Sequence, residues 1–275
     1  MGILKSAISI IGPVGEFTFY KVPGSNQIRV RRRAGPSREQ IKTGKNFATV
    51  RLYNNEFAGR VLGSQLITRA FAPVKHVINY RLSQALHKPL QIFQNLDATN
   101  KLGERRICFS EHPTILTGFS LTKRRSLLSV IDADIQHHIS ETGAATIYIP
   151  PIRPNVNLFM PQGYSWFKIS AVLASVPDLH VIEGKYASPL PDLPNTLHVS
   201  DTTPWLSAQR VIPGHTLRLT PRVIPASKNF VWMLSLAIEV GVAIDWEDFQ
   251  TVKKLGAGMV LDVVPGGMAS RFHAW

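Results

Sequence analysis

With a single cysteine, Cys108, in 275 residues, this chain can close no intramolecular disulfide and build no thiolate zinc cluster. Its stability has to come from burial and hydrogen bonding. An apolar fraction of 44% and a charged fraction of 18% suit an ordered globular protein. Long apolar runs are missing too. The most apolar stretch, Phe230 to Ile244, is interrupted by Glu239 and is shorter than the ~18 to 20 residues a membrane helix needs. The first eleven residues are broken by Lys5, Ser6 and Ser9, and no small-residue cleavage site follows, which makes a poor signal peptide. The expectation is a soluble chain with no membrane span, made in the cytoplasm, from which an assembly could be released.

Motifs for catalysis are equally scarce. There is no Walker-type phosphate loop, no His-Glu-x-x-His and no nucleophile elbow. Gly12-Pro13-Val14-Gly15 and Gly256-Ala257-Gly258 lack dinucleotide-fingerprint spacing and read as turns or bulges. His137 and His138 with Asp132, Asp134 and Glu141 come nearest to a metal set, but neighbouring side chains on a strand diverge, so a solvated polar loop fits better. Glu111-His112 is a weaker candidate. Cys108, in the apolar run Ile107 to Phe109, reads as a buried inert thiol. Asp245, Glu247 and Asp248 around Trp246 would suit a glycosidase only at a set separation, and a turn explains them as well. No cofactor is expected.

Acidic residues are thin in one region only. Residues 1–106 carry 18 Lys and Arg against five Asp and Glu, whereas residues 107–275 carry 13 of each. A positive field concentrated in this way attracts nucleic acid, anionic lipid or an acidic protein surface. The composition therefore divides the chain into a basic region, 1–106, and a neutral one, 107–275.

In the basic region, Glu16 to Val22 and Gln27 to Arg33 flank Pro23-Gly24-Ser25-Asn26, which predicts a β-hairpin. Alternation puts Ile28 and Val30 on one face, and Gln27, Arg29, Arg31 and Arg33 on the other. Ser37-Arg38-Glu39-Gln40 has capping-box spacing and predicts a helix start. A helical stripe runs from Lys45 to Ala72, and Val74, Ile78, Leu82, Leu86, Leu90 and Phe93 predict a second helix starting at Pro73, with Pro89 kinking or ending it. The neutral region holds 14 of the 19 prolines. Between them lie short apolar runs at 106–109, 115–121, 127–131, 145–149, 166–173, 179–186, 216–219, 230–242 and 259–263, the pattern of an antiparallel sandwich or barrel. The predicted class is α+β, mainly β: an antiparallel β-sandwich with an N-terminal basic hairpin and a helical pair.

Two features rise above this background. Arg29, Arg31, Arg33, Arg38, Lys42 and Lys45 could follow a phosphate backbone with Phe17, Phe19 and Tyr20 nearby for stacking, meet an acidic protein surface, or simply be solvated. No recognised nucleic-acid module accompanies them. The alternating strand Ile3 to Ile11, with Ile3, Leu4, Ile8 and Ile10, is a template for pairing with another copy of the chain, or an ordinary edge strand folded back on its own domain.

Gly35-Pro36-Ser37-Arg38-Glu39-Gln40-Ile41 after a basic strand, Gly118-Phe119, Pro161-Gln162-Gly163 before a strand, and a late apolar strand near Gly241 are similar to uncharacterised proteins of gliding and soil Bacteroidota. The resemblance spans most of the chain and implies an order of elements, with no activity or catalytic residue. The tail from Gly266-Gly267 to Trp275 departs from it, continuing past the strand that ends those proteins.

The reading is a non-catalytic structural subunit that self-assembles into a particle, tube or filament. The alternatives are a nucleic-acid coat or packaging protein, and a carbohydrate-binding or hydrolytic β-domain.

Overall fold

The computed structural model describes residues 2–4, 10–32, 35–193, 195–245, 248–270 and 273–274; for 2–4 and 273–274 the description covers the backbone. Packing divides the chain into two compact units, Met1–Arg51 and Leu52–Trp275. The charge boundary at residue 106 thus falls inside the second unit.

The first unit is an antiparallel sheet of β1 (Gly2–Leu4), β2 (Gly12–Val14), β3 (Phe17–Lys21) and β4 (Ile28–Arg32), in the order β1-β4-β3-β2, followed by α1 (Arg38–Thr43). The predicted hairpin is present. Its turn closes with Ser25 N–H donating to the Val22 carbonyl at 3.1 Å, and Gly24 takes a φ of +78° that a side chain would resist. The predicted capping box is present too: the Gln40 N–H donates to the Ser37 hydroxyl (3.1 Å) and the Ser37 N–H to the Gln40 side chain (2.7 Å). At the other end of α1, Arg51 donates to the carbonyls of Ile41 and Gly44, satisfying acceptors the short helix leaves open.

Of the strand expected over Ile3 to Ile11, positions 5–9 lie outside the described residues. Ile3 and Leu4 lie in β1, an edge strand paired with β4; Ile10 belongs to no strand, and Ile8 lies outside the described residues.

The helix α2 (Ala48–Ala70) leads into the second unit, where α3 (Leu82–Leu96) follows. The second helix does not begin at Pro73. Residues 72–74 form a 3-10 turn, turn bonds from Val77 N–H to Val74 and Ile78 N–H to Lys75 continue it, and no helix forms before Leu82 because the polar side chains between bond elsewhere. The Asn79 side chain accepts from Lys123 N–H, Tyr80 donates to the Ser120 carbonyl, and His76 contacts Glu239. Pro89 neither ends nor interrupts α3: Leu86, Leu90 and Phe93 on both sides of it are buried, and that burial outweighs the backbone bond proline cannot make.

The rest is mainly β. The strands are β5 (Gln136–Ile139), β6 (Ala145–Ile149), β7 (Trp166–Pro177), β8 (His180–Ile182), β9 (Lys185–Ala187), β10 (Leu197–Thr202), β11 (Leu206–Ser207), β12 (His215–Leu219), β13 (Phe230–Ala243), β14 (Phe249–Pro265) and β15 (His273–Ala274). A central antiparallel sheet has the order β10-β7-β13-β14 with β11 also on β7; a second has the order β12-β6-β5-β15; β8 and β9 form a hairpin.

Alternation explains how the central sheet is buried on both faces. Phe167, Ile169, Ala171 and Leu173 of β7, with Trp232, Leu234, Leu236 and Ile238 of β13, share a core with Ile147, Ile149, Leu217 and Leu219 of the second sheet. The intervening Val172, Ala174, Val176, Val231 and Met233 pack with Leu66, Phe71, Leu86, Leu90 and Phe93 from the helices. A strand covered twice reads as an unbroken apolar run, as Phe230 to Val240 does apart from Ser235 and Glu239.

Three of the expected strands are not strands. The runs 106–109, 115–121 and 127–131 contribute only single bridges, Ile107 to Leu179, Ser120 to Met259 and Ile131 to Leu158. Ile107, Phe109, Leu116, Leu121, Leu127 and Ile131 are nevertheless buried, so apolarity there signals burial of connecting chain. The run 179–186 is a hairpin, folded at Glu183-Gly184 with φ values of 50° and 75°.

Candidate interaction surface

The register of the N-terminal sheet sorts its side chains. Val14 pairs with Phe17, Phe17 with Arg32, Phe19 with Val30, and Lys21 with Ile28, so these residues share one face. It is a mostly apolar face, closed at one end by an ion pair between Arg32 and Glu16 at 3.0 Å. Thr18 pairs with Arg31 and Tyr20 with Arg29 on the opposite face, where the Arg31 guanidinium lies 5.7 Å from the Tyr20 ring centre.

Arg29 and Arg31 therefore do share a face, as alternation predicts, while Arg33 lies outside the described residues. Arg38 and Lys42 stand one turn apart on α1 and are exposed, as is Lys45 after it. A cleft of about 690 Å³ at the end of β4 is lined by Thr18, Arg31, Arg32, Ser37 and Gln40. These groups are donors and cations, the complement of an anion.

Among the described residues from 10 to 51 none is buried; Phe17 is 47% exposed and Val14 51%. An apolar sheet face normally supplies the stability of so small a unit by being covered.

In the second unit the polar groups are mostly committed to holding elements together. Glu56 of α2, 1% exposed, takes two 2.6 Å hydrogen bonds from Arg105 and one from Gly103 N–H. Burial alone would raise its carboxyl, but these bonds and the charges of Arg105 and Arg60 hold it below the usual range. Tyr186 of β9 donates to the Arg105 carbonyl and lies against Gly59, where a Cβ would come within 2.6 Å of its ring. On the helix-facing side of the central sheet, Glu239 accepts from the Ser170 hydroxyl (2.5 Å) and meets Lys168 Nζ (3.1 Å) and His76 Nε2 (2.6 Å), the last two as close contacts with Oε2 that lack hydrogen-bond alignment. Burial pushes the Glu239 carboxyl up; the contacts with His76 and Ser170 and the charge of Lys168 overcome it, and the group stays below the ordinary glutamate value.

Cys108 Sγ lies 3.9 Å from His180 Nε2, with Asp178 close by, which gives the outline of a nucleophile and base. Its electrostatics are opposite to an activated thiol. Burial, with Asp178 and Glu111 adding negative charge, pushes the thiol up to about 12, and burial followed by Arg106 pushes His180 down. Asp178 is tied to the Ser110 backbone N–H and hydroxyl.

His137 and His138 lie on β5 rather than in a loop. His137 is buried with Nε2 3.8 Å from Asp262, while Asp132, Asp134 and Glu141 are exposed; among the described residues no group of three potential ligands could hold a metal. Asp245 and Asp248 sit in the turn between β13 and β14, where Ile244 N–H donates to the Asp248 carbonyl; Glu247 lies outside the described residues. No described helix is long and apolar enough to cross a membrane.

Compared against protein-family profiles, curated proteins and solved structures, the chain matches none.

Proposed function

We propose that the chain is a non-catalytic structural subunit that self-assembles into a particle, tube or filament, with a second copy covering the apolar face of its N-terminal sheet. The observation behind this is the apolar face of the first sheet: Val14, Phe17, Phe19, Ile28 and Val30 share one face, and none of them is buried. The two sheets that share a core support reading the second unit as a β-sandwich scaffold that carries this docking element.

Residues 1–51 carry ten basic side chains against two acidic ones, so copies that meet there repel each other until salt screens them. Light scattering of the full chain should show species well above the 30.6 kDa monomer, increasing with protein and salt concentration. Val14→Asp with Phe17→Asp should return the chain to a monomer. A monodisperse wild-type monomer at high protein and salt concentration overturns the proposal.

The opposite face supports a second reading, contact with a polyanion such as nucleic acid, carried by Arg29 and Arg31 with Tyr20 between them. Here affinity falls steeply with salt, and Arg29→Ser with Arg31→Ser removes it. Binding unchanged between low and high salt would retire this reading.

A further inference from the structure

We infer that a cleft in the second unit, at the β10 edge of the central sheet, binds a small, mainly apolar carboxylate. The register builds its floor. Leu197 of β10, Ser175 of β7 and Trp232 of β13 are directly paired in one cross-strand row, with Val199 and Leu173 in the next row on the same face. Pro221 to Val223, following β12, form a wall, and the volume of this open cleft is about 300 Å³. That is at the small end for ligand sites and suits about ten non-hydrogen atoms.

The floor of the cleft presents an apolar surface. Ser175 and Trp232 are 1% and 2% exposed, and their polar atoms, the hydroxyl and the indole N–H, are covered and lie beneath that surface. Gly143, at a φ of +81°, lets the β5–β6 turn lie against the indole, since a Cβ there would fall 2.4 Å from the ring and 2.8 Å from its nitrogen.

The polar lining also selects charge. Arg222, exposed at the mouth, is a permanent cation, the Thr196 hydroxyl already donates to the Leu66 carbonyl, and alternation turns the His198 side chain to the opposite face of β10. Among the described residues no carboxylate lines the cleft. An apolar body against Leu173 and Trp232 with a carboxylate turned toward Arg222 matches this arrangement. The site is separate from the N-terminal sheet and does not depend on assembly.

The test is calorimetric titration of octanoate into the full chain, with 1-octanol as the neutral control. Saturable binding at one site per chain is expected, with Arg222→Leu weakening octanoate about tenfold while leaving octanol unchanged. Val223→Trp, or Leu197→Trp as a second filling variant, should abolish both; each position is about half exposed, so the fold should survive, which an unchanged melting temperature would show. Absence of saturable octanoate binding, or binding undiminished in both filled variants, overturns the site. Equal loss of octanoate and octanol in Arg222→Leu overturns the assignment of a carboxylate.

Discussion

Lys168 and Glu239 face each other across β7 and β13, ammonium to carboxylate 3.1 Å apart, on the face of the sheet whose Val172, Ala174, Val176, Val231 and Met233 pack with the helices. With Glu239 2% exposed, removing its charge leaves Lys168 without its counterion and weakens the contact with His76. Glu239→Gln should cost about 3 kcal/mol, near the bottom of the range for a broken buried pair because the Lys168 and His76 side chains keep some contact with water. Chemical denaturation measures it.

The same carboxylate sets an acid dependence. Because its folded pKa is depressed, Glu239 contributes stability that is complete above the ordinary value of 4.5 and is lost as pH falls through the folded value. The wild-type melting temperature should drop on acidification below that range, and the drop should be shallower in Glu239→Gln. Parallel curves for the two proteins would contradict this.

Gly59 and Tyr186 make a second long-range contact with a sharp steric limit. Gly59→Ala improves helix propensity, yet its methyl would sit 2.6 Å from the Tyr186 ring and push the hydroxyl away from the Arg105 carbonyl. A net loss of about 1–3 kcal/mol is expected, the usual cost of overpacking. A stabilised Gly59→Ala protein would show that the ring gives way freely.

Cys108 should be slow to react. With its thiol driven up to about 12 and the residue 6% exposed, a disulfide reagent at pH 8 should label it only when the chain unfolds. Labelling of the native protein at the rate of a free thiol would refute the buried environment.

At the β8–β9 turn, Glu183 holds a φ of 50° beside Gly184, the two-residue geometry that favours asparagine followed by glycine. Glu183→Asn should raise stability by about 0.5 kcal/mol. A lower melting temperature would rule that out.

That turn also shows where the sequence stopped being readable. The hairpin around Pro23-Gly24-Ser25-Asn26 and the capping box at Ser37 are local devices, written in residues that sit together, and both appear as predicted. Glu183 at positive φ is a poor signal for a turn, so 179–186 reads as one strand. The segment 75–81 keeps helical periodicity in its apolar residues, and distant partners at Ser120, Lys123, Glu239 and Lys254 hold it out of a helix. β5 was hidden because its two histidines resemble a polar loop, and β10 because Ser200 and Asp201 dilute it. The charge-bearing faces of the first hairpin were legible from alternation; the Ser175–Trp232 row was not, since it depends on pairing between strands 57 residues apart.

The double burial of the central sheet has a consequence for how the chain is made. Its helical cover is synthesised first, from residues 52–96, while the strands it must cover span 166–265. Leu86, Leu90 and Phe93 therefore leave the ribosome with nowhere to go and wait for more than half of the protein to follow. Non-local pairing of this kind is slow, and the exposed α3 face is a natural client for a chaperone during that interval.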